Sequence, residues 1–326
     1  LAGELAVIER IRERALAVRS KSLRLGIGDD CAILAPAGGQ EILVTTDFSL
    51  EGRHFLRNLH SARSVGHRAL ARGLSDLAAM GATPLACFLS LALPKSVARK
   101  TAWLDGFLDG LLDLAEAYEF PLAGGDTSEA PSDHILADIT LLGTAPAGRA
   151  LRRSGARVGD LLYVTGALGG AAAELAALRA DPATLRRAVA AGDHPHLFPR
   201  PRVGVGEALL RRGLATACID VSDGLSTDLS HLCEASGVSA EVDAGLLPAD
   251  RLTVGMGEAE RIAAVLHGGE DYELLFTAAA GMKVPRSMGG IAITRIGRIL
   301  KGEPQMRIVA EGAVFELQAR GWEHLK

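Results

Sequence analysis

The segment Leu74-Ser-Asp-Leu-Ala-Ala-Met-Gly-Ala-Thr-Pro-Leu-Ala-Cys-Phe-Leu-Ser-Leu-Ala-Leu-Pro94 admits two structures. Leu77 to Pro94 carries no charged residue over 18 positions, just enough to approach a bilayer span. Gly81, Thr83 and Pro84 interrupt it. It therefore reads as the end of a helix through Met80 followed by a strand, Leu85 to Leu93, apolar enough to be buried on both faces.

The same alternation continues on either side, which predicts a mixed α/β protein. Strands are expected over Glu41–Thr46, Ile135–Leu142, Leu161–Thr165, Ala217–Ile219, Tyr272–Thr277 and Ile291–Ile299. Helices are expected over Ser61–Met80, Val97–Tyr118, Gly170–Leu178, Val203–Arg212, Leu225–Ala235 and Glu258–Leu266, several closed by a glycine: Gly81, Gly213 and Gly237. Gly143 to Asp160 is rich in Gly and Arg and has no period, so the domain junction is placed there, dividing the chain into 1–148 and 149–326.

The chain has 326 residues, 48% of them hydrophobic, enough for a large core in about two domains and too apolar for disorder. With 35 Lys+Arg against 39 Asp+Glu there is no cationic surplus to neutralise a nucleic-acid backbone, and aromatic residues make up only 4%. Neither nucleic acid nor membrane is an expected partner. Cys31, Cys87, Cys218 and Cys233 form no Cys-x-x-Cys pair, which argues against zinc and against a disulfide framework and points to a reducing cytoplasm. Glu and Arg punctuate Leu1 to Ser20, which reads as an amphipathic helix rather than a signal peptide.

The common nucleotide and hydrolase motifs are absent. No Gly-Lys dipeptide exists for a P-loop, Gly204-Val-Gly206 lacks the third glycine of a dinucleotide fingerprint, and Gly73-Leu-Ser75-Asp-Leu77 lacks the second glycine of a nucleophile elbow. Nine histidines include no His-x-x-x-His pair.

Carboxylates instead recur beside glycines or at strand ends: Gly28-Asp29-Asp30, Thr45-Thr46-Asp47, Gly124-Gly125-Asp126, Asp220-Val-Ser222-Asp223-Gly224 and Gly268-Gly269-Glu270-Asp271. Each alone also reads as an Asx turn or helix cap. Five together suit hard cations, which take oxygen ligands, and phosphate, which glycine lets the backbone approach. Asp76 sits near a helix C-terminus, where the dipole disfavours it, so either a cation compensates it or it faces solvent. His54 follows Asp47 closely enough to share its site. Among Arg149, Arg152, Arg153 and Arg157, one or two either face a cleft or remain in a solvated linker. Gly166 to Gly170 opens a helix that either binds an anion or packs closely on a strand.

Gly26-Ile-Gly-Asp-Asp30, Thr45-Thr-Asp47, Leu74-Ser-Asp-Leu-Ala-Ala-Met-Gly-Ala82, Gly124-Gly-Asp-Thr127, Arg153-Ser-Gly, Ile219-Asp-Val-Ser-Asp-Gly-Leu225 and Gly268-Gly-Glu-Asp-Tyr-Glu-Leu274 together resemble the thiamine-monophosphate kinases. They follow that family's order over nearly the whole chain. The wider superfamily includes aminoimidazole ribonucleotide synthetase, selenophosphate synthetase and the hydrogenase-maturation dehydratase. The resemblance implies a two-domain PurM-like α/β fold, with an N-terminal sheet domain that binds ATP and Mg²⁺ and forms a homodimer. A C-terminal α/β domain would complete the cleft. By position, it implies several Mg²⁺ ions on Asp30, Thr45, Thr46, Asp47, Asp76, Asp126, Asp220 and Asp223. ATP would meet Gly125, Asp126, Arg153 and Ser222, and thiamine monophosphate would meet His54, Glu270 and, in Gly321-Trp-Glu-His, Trp322.

Asp47, Asp126 and Arg153 are the expected catalytic groups, acting with the metal to offset repulsion between two anionic substrates. An acceptor phosphate is already ionised, so direct transfer needs no general base. The alternatives are another ATP-dependent enzyme of the superfamily, or a nucleotide-binding protein without turnover. Selenophosphate synthesis is disfavoured because no Cys precedes Cys31.

Overall fold

A computed structural model describes residues 23–25, 29–30, 32–34, 38–98, 101–181, 183 and 194–323. The expected helix over Leu1–Ser20, the glycines Gly26 and Gly28, and Cys31 lie outside the described residues. Strands β1 (Leu23–Leu25), β2 (Ala32–Leu34), β3 (Gln40–Leu50), β4 (Thr83–Leu93), β5 (Leu122–Glu129) and β6 (Leu136–Pro146) form a sheet in the order β1-β2-β3-β6-β4-β5. All its neighbours are antiparallel except the edge pair β4 and β5.

Helices α1 (Ala62–Ala79) and α2 (Thr101–Ala117) belong to this sheet's core, which buries Leu43, Leu70, Leu74, Leu89, Phe107, Ile139 and Leu141. A Cβ on Gly66 would stand 1.8 Å from the Phe107 carbonyl oxygen and one on Gly110 would stand 1.9 Å from that of Arg63, so these two glycines let the helices cross backbone to backbone. Ser61 caps α1, its hydroxyl accepting from the Ser64 N–H at 3.1 Å, and Gly81 at φ +67° ends it.

The expectation that Leu85–Leu93 is buried on both faces is corrected. Cys87, Leu89, Leu91 and Leu93 are buried, but Leu85 is 47% and Phe88 37% exposed. From Cys87 to Leu93 the strand alternates, one face to the helical core and one face open, and a register shift between Pro84 and Ala86 takes Leu85 out of that alternation. Phe48 of β3 is likewise 61% exposed. Of the helix expected from Val97 to Tyr118, the structure gives Lys95–Ala98 and α2, and residues 99 and 100 between them lie outside the described residues.

The second sheet comprises β7 (Leu161–Thr165), β8 (Ala217–Val221), β9 (Ser239–Asp243), β10 (Glu273–Ala278), β11 (Ser287–Met288), β12 (Ile291–Leu300), β13 (Met306–Ala310) and β14 (Ala313–Glu316). Its order is β14-β13-β9-β12-β7-β10-β8, with β11 paired to β12. Helices α3 (Gly170–Ala180), α5 (Leu225–Ser236) and α6 (Glu258–His267) accompany it, whereas α4 (Val203–Arg212) packs on α1 and shares the first sheet's core, a Cβ on Gly206 standing 1.9 Å from the Ala78 carbonyl oxygen; Gly213 and Gly237 take the left-handed conformation at the ends of α4 and α5. Its core buries Val164, Ile219, Val221, Leu229, Leu275 and Ile296. Among the described residues no helix is long and apolar enough to cross a membrane, and Cys87, Cys218 and Cys233 are free thiols.

Candidate active site

Strand alternation turns Thr45 of β3 to the covered side of the first sheet, where it meets the last turn of α1. The Thr45 hydroxyl donates to the Asp76 carboxylate at 2.5 Å. One residue earlier on α1, the Ser75 hydroxyl donates at 2.6 Å to Asp220, which β8 brings from the second sheet. Asp30 completes the group: one carboxylate oxygen each from Asp30, Asp76 and Asp220 lies within 4.8 Å of the others. Arg153 donates from Nε to Asp30 at 3.1 Å and stands 3.8 Å from Asp29.

These carboxylates repel one another away from water. Burial, then Asp30, pushes the Asp220 carboxyl up to about 8. Burial, then Asp47, Asp220 and Asp30, raises Asp76 well above the usual carboxylate range. Asp30 Oδ2 is buried without a hydrogen-bond partner among the described residues. An all-oxygen donor set with an orphaned buried oxygen and too little positive charge fits a hard divalent cation such as Mg²⁺.

The cluster opens into a cavity of about 420 Å³. Asp47, Asp76, Asp220, Ser222 and Asp223 line its acidic end, and His54, Glu270 and Trp322 line the remainder. Glu270 and Tyr272 hold φ of +67° and +50°, a strained loop pinned by the Glu270 N–H donating to the Ser222 carbonyl at 2.8 Å. Arg68 of α1 donates to Glu270 at 2.7 Å, to the His54 carbonyl at 3.0 Å and to the His196 carbonyl at 2.6 Å. His196 Nδ1 lies 3.2 Å from the other Glu270 oxygen, and His60 Nε2 lies 2.9 Å from His196 Nε2. Burial would raise the Glu270 carboxyl, but Arg68, His196 and Arg72 overcome it and hold the group well below its ordinary range. Burial, then Arg68, lowers both imidazoles, His60 to about 3.

Of the residues singled out by sequence, Thr45, Asp30, Asp76, Asp220 and Arg153 thus meet at the cluster, and Asp47, Asp223, Ser222, His54, Glu270 and Trp322 line the cavity. Others fall elsewhere. Thr46 is exposed on the opposite sheet face. Gly125 and Asp126 lie on exposed edge strand β5, outside the cavity wall. A Cβ on Gly125 would stand 1.8 Å from the Leu89 carbonyl oxygen, so the ladder alone demands that glycine. Arg149, Arg152 and Arg157 are exposed. The N–H groups at the start of the helix opened by Gly170 are already taken: Asp271 accepts from Gly169 and Ala171 at 2.6 and 3.1 Å. Arg68 and Arg72 were not anticipated, although their four-residue spacing to Asp76 on one helix was legible. His60 and His196 carried no local signal.

The chain matches the model of the AIR synthase related protein N-terminal domain over residues 28–145 and that of the C-terminal domain over residues 157–302. The chain is thus an AIR synthase-related protein of two-domain PurM-like fold. The chain is 40% identical to the thiamine-monophosphate kinase of Escherichia coli (strain K12), over 99% of this chain and 98% of that one. The AaThiL complex with AMPPCP and TMP superposes with a TM-score of 0.81 at 30% identity, over 99% of this chain and 97% of that one. The thiamine-monophosphate kinase of Stenotrophomonas maltophilia K279a gives 0.72 at 37%, over 96% and 98%. The chain belongs to the thiamine-monophosphate kinase family.

Proposed function

We propose that this cavity transfers the γ-phosphoryl group of ATP directly to thiamine monophosphate, giving thiamine diphosphate and ADP. The observation that carries this reading is the convergence of Asp30, Asp76 and Asp220 within 4.8 Å at one end of a cavity whose other end presents Glu270, His54 and Trp322. Asp30, Asp47, Asp76, Asp220 and Asp223, with the Thr45 hydroxyl, would hold Mg²⁺, with Asp126 and Thr46 as the further ligands that resemblance suggests. Bound there, several Mg²⁺ ions supply positive charge against the two anionic substrates and the transferred group.

Arg153, fixed by Asp30 and Asp29, keeps its charge despite burial and offers its outer face to the nucleotide, with Ser222 and, from the edge strand, Gly125. Glu270 stays ionised and faces the cationic ring system of thiamine beside His54 and Trp322. An oxygen of the acceptor phosphate attacks the γ-phosphorus while the bond to the bridging oxygen of ADP breaks. No proton needs a base, because that oxygen is already anionic.

We assign residues 1–148 to nucleotide and metal binding and residues 149–326 to completing the cleft. The open face carrying Phe48, Leu85 and Phe88 would be covered in a homodimer, and sedimentation showing only monomer at micromolar concentration would refute that. The buried free thiols suit a cytoplasmic protein.

Purified protein incubated with ATP, Mg²⁺ and thiamine monophosphate is expected to yield thiamine diphosphate and ADP in equal amounts. ADP without thiamine diphosphate overturns the reading. With ATP chiral at the γ-phosphorus, direct transfer gives inversion, whereas an aspartyl-phosphate route gives retention.

A further inference from the structure

Arg68, Arg72 and Asp76 recur every four residues along α1 and share one face, with about 6 Å of rise between successive members. Arg68, at one end, is fully engaged by Glu270 and two main-chain carbonyls. Asp76, at the other, belongs to the carboxylate cluster. Arg72 lies between them and lines the cavity with Asp47 and Glu270. Among the described residues its one ion pair is with Asp47, Nε to Oδ1 at 3.6 Å, beyond hydrogen-bond reach. Its side chain is 16% exposed and lines the cavity, and among the described residues its donors make no hydrogen bond to the protein.

Such a group matches an oxyanion gripped at two points better than it matches a carboxylate it does not bond. In the reaction proposed above, the acceptor must present its phosphate to the carboxylate end while its thiamine body meets Glu270, His54 and Trp322. Arg72 stands between those two ends, where that phosphate has to lie. We infer that Arg72 binds the phosphate of the acceptor and thereby makes the cavity select a phosphate monoester over the corresponding free alcohol. The inference rests on the kinase reading. The groups around Arg72 agree with it: burial opposes its charge, and Tyr272, Asp47, Glu270 and Asp76 more than restore it, so the fork is a permanent cation.

The test is calorimetric titration of the whole protein with thiamine monophosphate and, separately, with thiamine, each with Mg²⁺ and a non-hydrolysable ATP analogue present. Wild type, Arg72→Gln and Arg72→Lys are compared. Arg72→Gln should weaken thiamine monophosphate binding on the order of 10- to 100-fold and leave thiamine binding within about twofold, as expected when charge-assisted hydrogen bonds are lost to one ligand only. Arg72→Lys should retain part of the preference, and it carries the comparison if Arg72→Gln does not fold. Equal losses for both ligands would make Arg72 a piece of the wall and overturn the inference. So would unchanged thiamine monophosphate affinity with tighter Mg²⁺ binding, which would make Arg72 a counter-charge to Asp47. Wild type that makes no thiamine diphosphate refutes the kinase reading itself. Wild-type turnover beside an unaltered Arg72→Gln refutes only the role of Arg72.

Discussion

The two ends of one cavity are built on opposite electrostatic plans. At the acidic end Asp30, Asp76 and Asp220 crowd together with Arg153 as the neighbouring cation, and burial and mutual repulsion favour the protonated form of Asp76 and Asp220 when no metal is bound. At the other end a single carboxylate, Glu270, is gripped by Arg68 and His196 and stays charged. One end is short of positive charge. The other is complete within the chain and therefore preorganised for a ligand.

The difference breaks most visibly when the acidic end is altered. Chelation with EDTA should abolish turnover, and added Mg²⁺ should restore it. Asp76→Asn and Asp126→Asn should each lower kcat/KM on the order of 100-fold or more, as removal of a group that stabilises transition-state charge does. The metal-free melting temperature of Asp76→Asn should equal or exceed wild type, because a neutral side chain needs neither a proton nor a counter-charge in that buried acidic cluster, and that of exposed Asp126→Asn should not change. Near-wild-type turnover in both would remove the metal assignment. At the complete end the same kind of change acts on stability: Arg68→Met leaves Glu270 without its main partner and should cost about 3 kcal/mol. Denaturant unfolding showing less than about 1 kcal/mol would deny that the pair is structural.

The two ends should also titrate with opposite sign in the metal-free protein. His60, lowered to about 3, and His196, also lowered, bind fewer protons folded than unfolded below about pH 6.5, so stability rises with pH there. Asp220, raised to about 8, and Asp76, also raised, bind more protons folded than unfolded, so stability falls as pH rises toward 8. Asp271, raised to about 8 by burial, adds to that limb independently of metal. The two sets oppose each other between about pH 4 and 6.5 and the carboxyls act alone above it, so the metal-free melting temperature should fall from about pH 6.5 to 8, and saturating Mg²⁺ should flatten that fall. A metal-free melting temperature still rising from pH 7 to 8 would contradict the crowding of the acidic end.

What was legible beforehand follows the same division. The acidic end is written in short strings, because metal and phosphate need aspartate beside glycine or at a strand end, and Asp30, Thr45-Thr46-Asp47 and Asp220-Val-Ser222-Asp223 are local signals. The complete end is assembled across the chain: His60, His196 and Glu270 are far apart in sequence and meet only after the second sheet docks on α1. Strands rich in apolar residues, such as β3, β6 and β10, were legible, while β5, Leu-Ala-Gly-Gly-Asp-Thr-Ser-Glu, has almost no apolar side chain and owes its place to pairing with β4. Asp271, in one of the five acidic loops that read either as ligand sites or as turns and caps, is a helix-terminus anchor, a distinction that spacing does not carry.

The smallest expected effect separates two neighbours that resemblance treats alike. Thr45 and Thr46 are successive on β3, and strand alternation sends them to opposite faces. Thr45 is 6% exposed, and its hydroxyl donates to Asp76 at 2.5 Å. Thr46 is exposed on the open face, where its hydroxyl cannot reach the cluster. Valine is close in shape to threonine and suits a strand, so Thr45→Val and Thr46→Val change little but the hydroxyl. Loss of one hydrogen bond to a charged group is worth about 1.5–3 kcal/mol, but water or metal can take the freed Asp76 lone pair, so Thr45→Val should lower kcat by only about 3- to 10-fold. Thr46→Val should leave kcat within about twofold, since a ligand supplied by its main-chain carbonyl survives the substitution. The apparent Mg²⁺ affinity, read from the metal dependence of turnover, should weaken for Thr45→Val alone. Equal losses in the two variants, or a larger loss in Thr46→Val, would mean that β3 presents its other face to the metal and that the acidic end is not organised as its carboxylates indicate.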